Sequence, residues 1–179
     1  HQLASELDKL ASFVEGRGSE IGEDDVAAIV GVRRGETQAD LLDAVADRNV
    51  TRALELVPHI LAQPKTTAVS VVMSLTTQML AISWGRAKLD EGTPRSRLGS
   101  EYFDLLRETG AFTGRSWGSA SAMWARSAEK WTPYALRTAL DALLEADIAL
   151  KESKVSSEEQ LLASVVLSIC AAAEQSAAA

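Results

Sequence analysis

From Thr66 to Gly85 the chain runs for twenty residues without a charged side chain. That is the length of a membrane-spanning helix. The run is also rich in polar groups: Thr66, Thr67, Ser70, Ser74, Thr76, Thr77, Gln78 and Ser83. So many are costly in lipid, so the run reads as a helix buried within a bundle, and no membrane partner is expected. Thr66 or Thr67 is its expected cap. Its apolar residues fall in two rows, Val69, Val72, Met73, Leu80 and Trp84, then Val71, Leu75 and Ile82. Between them runs a stripe of small groups, Ser70, Ser74, Thr77 and Ala81. A helix apolar on two sides is buried or sandwiched between neighbours.

The rest of the chain repeats the helical period, and no convincing strand alternation interrupts it. Leu3, Leu7, Leu10 and Val14 share one helix face. A short helix with Val26, Ile29 and Val30 follows Gly22, with acids in its first turn. Gly31 to Gly35 breaks the pattern and marks a domain boundary. Thr37 and Asn49 are expected caps for helices carrying Leu41, Leu42 and Val45, then Ala53, Leu54, Val57, Ile60 and Leu61. Pro58 lies inside the second of these and should bend it. Residues 90–100 read as a loop, with Ser100 capping a short helix that holds Phe103, Leu105 and Leu106. A second loop is expected through Gly110, Gly114 and Gly118, then a helix to Trp131 with Met123 and Trp124. Thr132-Pro133 starts a helix carrying Leu136, Leu140, Leu143, Leu144 and Ile148. Ser156-x-x-Glu159 reads as a capping box for the last helix, which buries Leu162, Val165, Val166 and Ile169. The alanine-rich tail is expected to fray. The expected fold is all-α: about three short helices lead into a bundle of roughly five to six.

Chemistry finds few footholds. The chain has 179 residues, 18 basic against 25 acidic, a net charge of −7. An acidic chain is poorly suited to grip phosphate backbones. No phosphate-loop spacing is present, and Gly16-Arg17-Gly18 with Gly22 reads as a helix stop. Cys170 stands among Val166, Leu167 and Ile169, where a buried inert thiol is expected. His59, beside Pro58, has no partner in sequence for a base and reads as a surface or capping residue. Asp40, Asp43 and Asp47 share a face that could hold a divalent metal, though a solvated acidic face is the preferred reading. Local arginines at 33–34, 95, 97, 107 and 115 read as solvated. Trp117, Trp124 and Trp131 are seven apart, near one helix face, and read first as core and second as interface anchors. Asp147 and Lys151 are spaced for a surface ion pair. No catalytic residue, metal site or cofactor is expected.

The order of features is more specific than any one of them. Leu3-x-x-Glu6-Leu7-x-Lys9-Leu10 precedes Ile21-Gly22-Glu23-Asp24-Asp25-Val26 and the break at Gly31. Then come Asp40-Leu41-Leu42-Asp43-Ala44-Val45, Arg52-Ala53-Leu54 and a Gln63-Pro64 turn. The uncharged helix with Gln78 and Leu143-Leu144-x-x-Asp147-x-x-Leu150-Lys151 complete the series. This resembles the C-terminal part of the delta subunit of the bacterial DNA polymerase III clamp loader. Gly22, where a Ser or Thr cap is expected, and the stretch 91–122 depart from the family's pattern.

The resemblance implies two domains: residues 1–35, the end of a lid-like helical domain, and residues 36–179, a collar-like helical bundle. It implies a cytoplasmic, non-catalytic assembly module that associates with the clamp-loader ATPase (gamma/tau) and delta-prime subunits in DNA replication. The parent holoenzyme has DNA-directed DNA polymerase activity. The sliding clamp is gripped by an N-terminal domain that this sequence lacks, and DNA is met only through the complex. The opening at His1, without an initiator methionine or an apolar leader, reads as a processed chain or an excised piece, the latter favoured. Trp84, Trp124, Asp147 and Lys151 are the candidate interface residues. The alternative is a stand-alone helical regulatory or small-ligand-binding domain with a pocket beside Trp84 and Met73.

Overall fold

The computed structural model describes residues 37–110, 115–152 and 155–171. The chain divides into two units, residues 1–36 and residues 37–179, and all described residues belong to the second. The expected helices before residue 36, the Gly114 part of the expected loop and the tail beyond residue 171 lie outside the described residues.

The described residues form an all-α bundle of seven helices. These are α1 (Gln38–Ala46), α2 (Val50–Leu61), α3 (Ala68–Asp90), α4 (Arg95–Thr109), α5 (Trp117–Lys130), α6 (Pro133–Lys151) and α7 (Glu158–Ala171). The starts follow side-chain chemistry. Thr37 caps α1 in a capping box: the Thr37 amide donates to Asp40 Oδ2 at 2.6 Å, and the Asp40 amide donates back to Thr37 Oγ1 at 3.3 Å. At the other end of α1, Arg48 takes a left-handed φ of 58°. Its amide donates to the Val45 carbonyl and the Asn49 amide to the Ala44 carbonyl, the double closure of a Schellman motif. Asn49 then caps α2, accepting from the Arg52 amide at 3.1 Å. Thr67 caps α3 and Thr132 caps α6, with Pro133 in the first turn.

Three boundaries differ from the sequence reading. Residues 95–100 are helical, and α4 starts after Pro94 with no side-chain cap at all. Leu98, Tyr102 and Leu106, each four apart, are buried along its inner face, while Phe103 is exposed. That burial outweighs the glycine and serine content of the segment. Gly118 lies in the first turn of α5, which Ser116 caps. The last helix is capped by Ser157, which accepts from the Gln160 amide at 3.2 Å, one residue beyond the expected Ser156. Its expected core residues, Leu162, Val165, Val166 and Ile169, are all buried.

α3 is the hub. It packs chiefly against α6 and α5, and also touches α1, α4 and α7. Glu158, in the first turn of α7, accepts from the Ala68 amide at 3.0 Å and so ties the two N-termini together. α2 is held chiefly between α1 and α7, and α4 leans on α5. α3 is long and apolar enough to cross a membrane by composition, but 44% of its most apolar window is buried within the protein.

Candidate assembly surface

Each side of α3 meets something different. Val71, Val72, Leu75, Met79 and Ile82 enter the core. Of the small stripe, Ser70, Ser74 and Ala81 turn towards α1 and α4, while Thr77 is exposed. Gln38 Nε2 donates to Ser74 Oγ at 2.9 Å, and Gln78 Nε2 donates to the Leu42 carbonyl at 2.6 Å. Further along, the Tyr102 hydroxyl donates to the Ala81 carbonyl at 2.7 Å. Its ring packs over Gly85, where a Cβ would stand 2.0 Å from the hydroxyl.

One side is left. Val69 (43%), Met73 (64%) and Leu80 (54%) are exposed, with Thr77 among them. Their place in an apolar row predicts burial, yet among the described residues nothing covers them. Beside them α6 exposes Leu144 (58%) and Ile148 (46%). Residues 72–77 face residues 140–147, and residues 83–90 face residues 133–141, so the two helices run antiparallel. Between them lies a groove. One end, about 320 Å³, is lined by Val72, Met73, Thr76, Thr77, Leu140, Leu143, Leu144 and Asp147. The other, about 470 Å³, is bordered by Ser83, Arg86, Asp90, Leu136, Arg137, Leu140 and Asp141.

The expected interface residues are distributed unevenly. Asp147 lines the groove and accepts from Lys151 at 2.6 Å across one helical turn. Trp84 is half-buried, 5.0 Å from the Tyr102 ring, with the Lys88 ammonium 5.8 Å from its own ring centre. Trp124 is only 5% exposed and packs with its ring centre 5.5 Å from that of Tyr102. Its bulk serves the core, so any partner would meet α5 through other side chains. The pocket expected beside Trp84 and Met73 takes in Met73 but not Trp84. The exposed α6 residues Leu144 and Ile148 belong to the apolar series that marks this helix in the sequence.

Other candidates resolve into structural work. Trp131 leaves the helix as an extended C-cap, so the seven-residue spacing does not put three tryptophans on one face. Its indole N–H donates to the Ala46 carbonyl at 2.9 Å, and the Arg48 guanidinium lies 4.2 Å from its ring centre. The acids of α1 have separate partners: Asp40 closes the capping box, Asp43 pairs with Arg115 at 2.8 Å, and Asp47 pairs with Lys130 at 2.8 Å. Among the described residues no group of three or more His, Cys, Asp or Glu side chains could hold a metal ion. Cys170 is buried, and burial pushes its thiol up from the ordinary value against the opposing pull of the Arg48 charge. A thiol held protonated is a poor nucleophile. His59 is exposed near the end of α2.

Neither models of known protein families nor curated protein sequences match this chain. Among solved structures, the DNA clamp loader delta protein YqeN of Bacillus subtilis is similar in fold, with a TM-score of 0.55 at 18% identity. The likeness covers 93% of this chain and 45% of that protein, so this chain spans less than half of the length of its structural relative. It shows a clamp-loader-like fold.

Proposed function

We propose that this chain is a non-catalytic assembly module of the DNA polymerase III clamp loader, equivalent to the C-terminal region of its delta subunit. In this reading it associates, in the cytoplasm, with the clamp-loader ATPase and delta-prime subunits and so supports the loading of sliding clamps during DNA replication. The observation that carries the reading is the joining of a clamp-loader-like fold to an uncovered, uncharged helix face. A helix apolar on all sides is stable in water when neighbours cover it. Among the described residues α3 has such neighbours on all sides but one. Exposed apolar patches of this kind mark interaction surfaces.

The residues support a binding rather than a chemical role. Cys170 is buried with its thiol held protonated, and the α1 acids are engaged in caps and ion pairs. The alternative of a small-ligand domain draws on the groove volume, which lies within the range of ligand sites. Both pockets are open clefts along the same two helices, a shape that suits another helix better than an enclosed small molecule.

Size-exclusion chromatography with light scattering tests the proposal. The protein as its host makes it is mixed with the clamp-loader ATPase and delta-prime subunits of the same organism. Co-elution as a complex of defined mass is the expected result. Separate elution of all three, or ATP hydrolysis by this chain alone, would overturn it.

A further inference from the structure

Leu140 borders both pockets of the α3–α6 groove, so the two lie end to end along the seam between these helices. They differ in chemistry. At one end Met73, Thr77 and Leu144 present an uncharged surface, and the acid nearby, Asp147, is engaged by Lys151. At the other, Arg137 and Asp141 are exposed one turn apart on α6, beside the internal Arg86–Asp90 pair. Neither Arg137 nor Asp141 makes an ion pair within the described residues. Their order, with the base on the N-terminal side, is the less favourable one for an i,i+4 pair.

We propose that this groove takes one amphipathic helix of a neighbouring clamp-loader subunit, apolar at one end and carrying an acid and a base at the other. The inference rests on the assembly reading above and names the chemistry of the partner. Val72 to Asp90 spans about 27 Å of helix at 1.5 Å per residue, so the occupant needs about five turns. Over Met73 and Leu144 it must be uncharged, since a charge there would be desolvated without a counter-ion. Towards the far end a carboxylate meets Arg137 and an ammonium or guanidinium meets Asp141. This polarity fixes the direction in which the helix lies, which an apolar stripe alone does not.

The test immobilises the protein as its host makes it and titrates it with the assembled remaining clamp-loader subunits of the same organism. Met73→Glu with Leu144→Glu changes two exposed side chains, so circular dichroism should be unchanged. Binding should weaken by at least about 100-fold, as for two central apolar contacts. Arg137→Glu should weaken binding about tenfold, chiefly through a slower on-rate at low salt. Wild-type binding that ignores all three substitutions overturns the inference and leaves the assembly reading standing. No wild-type binding overturns both. Loss at the apolar end with Arg137→Glu indistinguishable from wild type refutes the oriented helix. Light scattering of the protein alone covers a further outcome: a dimer dissolved by Met73→Glu makes a second copy the occupant and overturns the proposal.

Discussion

Replacing Gly85 by alanine separates packing from propensity, because the two predict opposite signs. Alanine in a helix interior is favoured over glycine by about 1 kcal/mol. In this bundle the new Cβ would stand 2.0 Å from Tyr102 Oη and 2.7 Å from Cζ. The ring has little room to retreat. It is fully buried, with the Trp84 ring 5.0 Å away and the Trp124 ring 5.5 Å away. Overpacking a filled site costs about 1–3 kcal/mol. Pulling the hydroxyl away from the Ala81 carbonyl forfeits about 1 kcal/mol more. Set against the helix gain of about 1 kcal/mol, Gly85→Ala should destabilise the bundle by about 1–3 kcal/mol. Urea unfolding followed by tryptophan fluorescence reads this as a lower midpoint at unchanged slope. Adding Tyr102→Phe removes the atom at 2.0 Å and should return at least about 1 kcal/mol in a double-mutant cycle. A Gly85→Ala protein as stable as the wild type would refute the close approach of α3 and α4.

Three further outcomes are expected. Trp131→Phe loses the hydrogen bond to the Ala46 carbonyl and most of the Arg48 stacking, and should cost about 2 kcal/mol by the same denaturant assay. At Arg48, glycine removes the strain of a left-handed residue while losing the same stacking, so Arg48→Gly should lie within about 1 kcal/mol of wild type. Arg48→Ala keeps the strain and loses the stacking, so it should be the less stable of the two. Burial pushes the Tyr102 hydroxyl well above its ordinary value. The folded state therefore keeps this proton after the unfolded chain has released it. The stabilisation is complete below about pH 10 and is lost as the pH rises further. Tyr102→Phe should show a shallower fall in stability above that pH, and an equal slope in both proteins would contradict the burial.

Much of the fold was legible because its signals are local. Thr37, Asn49, Thr67 and Thr132 each cap a helix through a side chain whose partner lies three residues on. The start of α4 is not legible locally, because Ser96, Gly99 and Ser100 suggest a loop, while the Leu98–Tyr102–Leu106 row is buried only once α3 and α5 close over it. Ser156 and Ser157 are adjacent serines before an acidic turn, and composition does not tell which one the helix uses. In α3 the absence of charge is itself what hid the exposed side: no charged row marks where water begins. Residue type alone makes Trp124 an interface candidate, yet the Tyr102 ring it packs on lies on another helix. The groove depends on α3 meeting α6 across more than forty intervening residues, which no local pattern encodes.

Hydrogen exchange by mass spectrometry, with and without the other clamp-loader subunits, tests the central claim most directly. The claim is that the uncovered side of α3, with its neighbour α6, is where this module assembles. Complex formation should slow exchange in segments 69–80 and 137–148, with little change in α2. Protection confined to other helices, or none in a complex proven by mass, would contradict it.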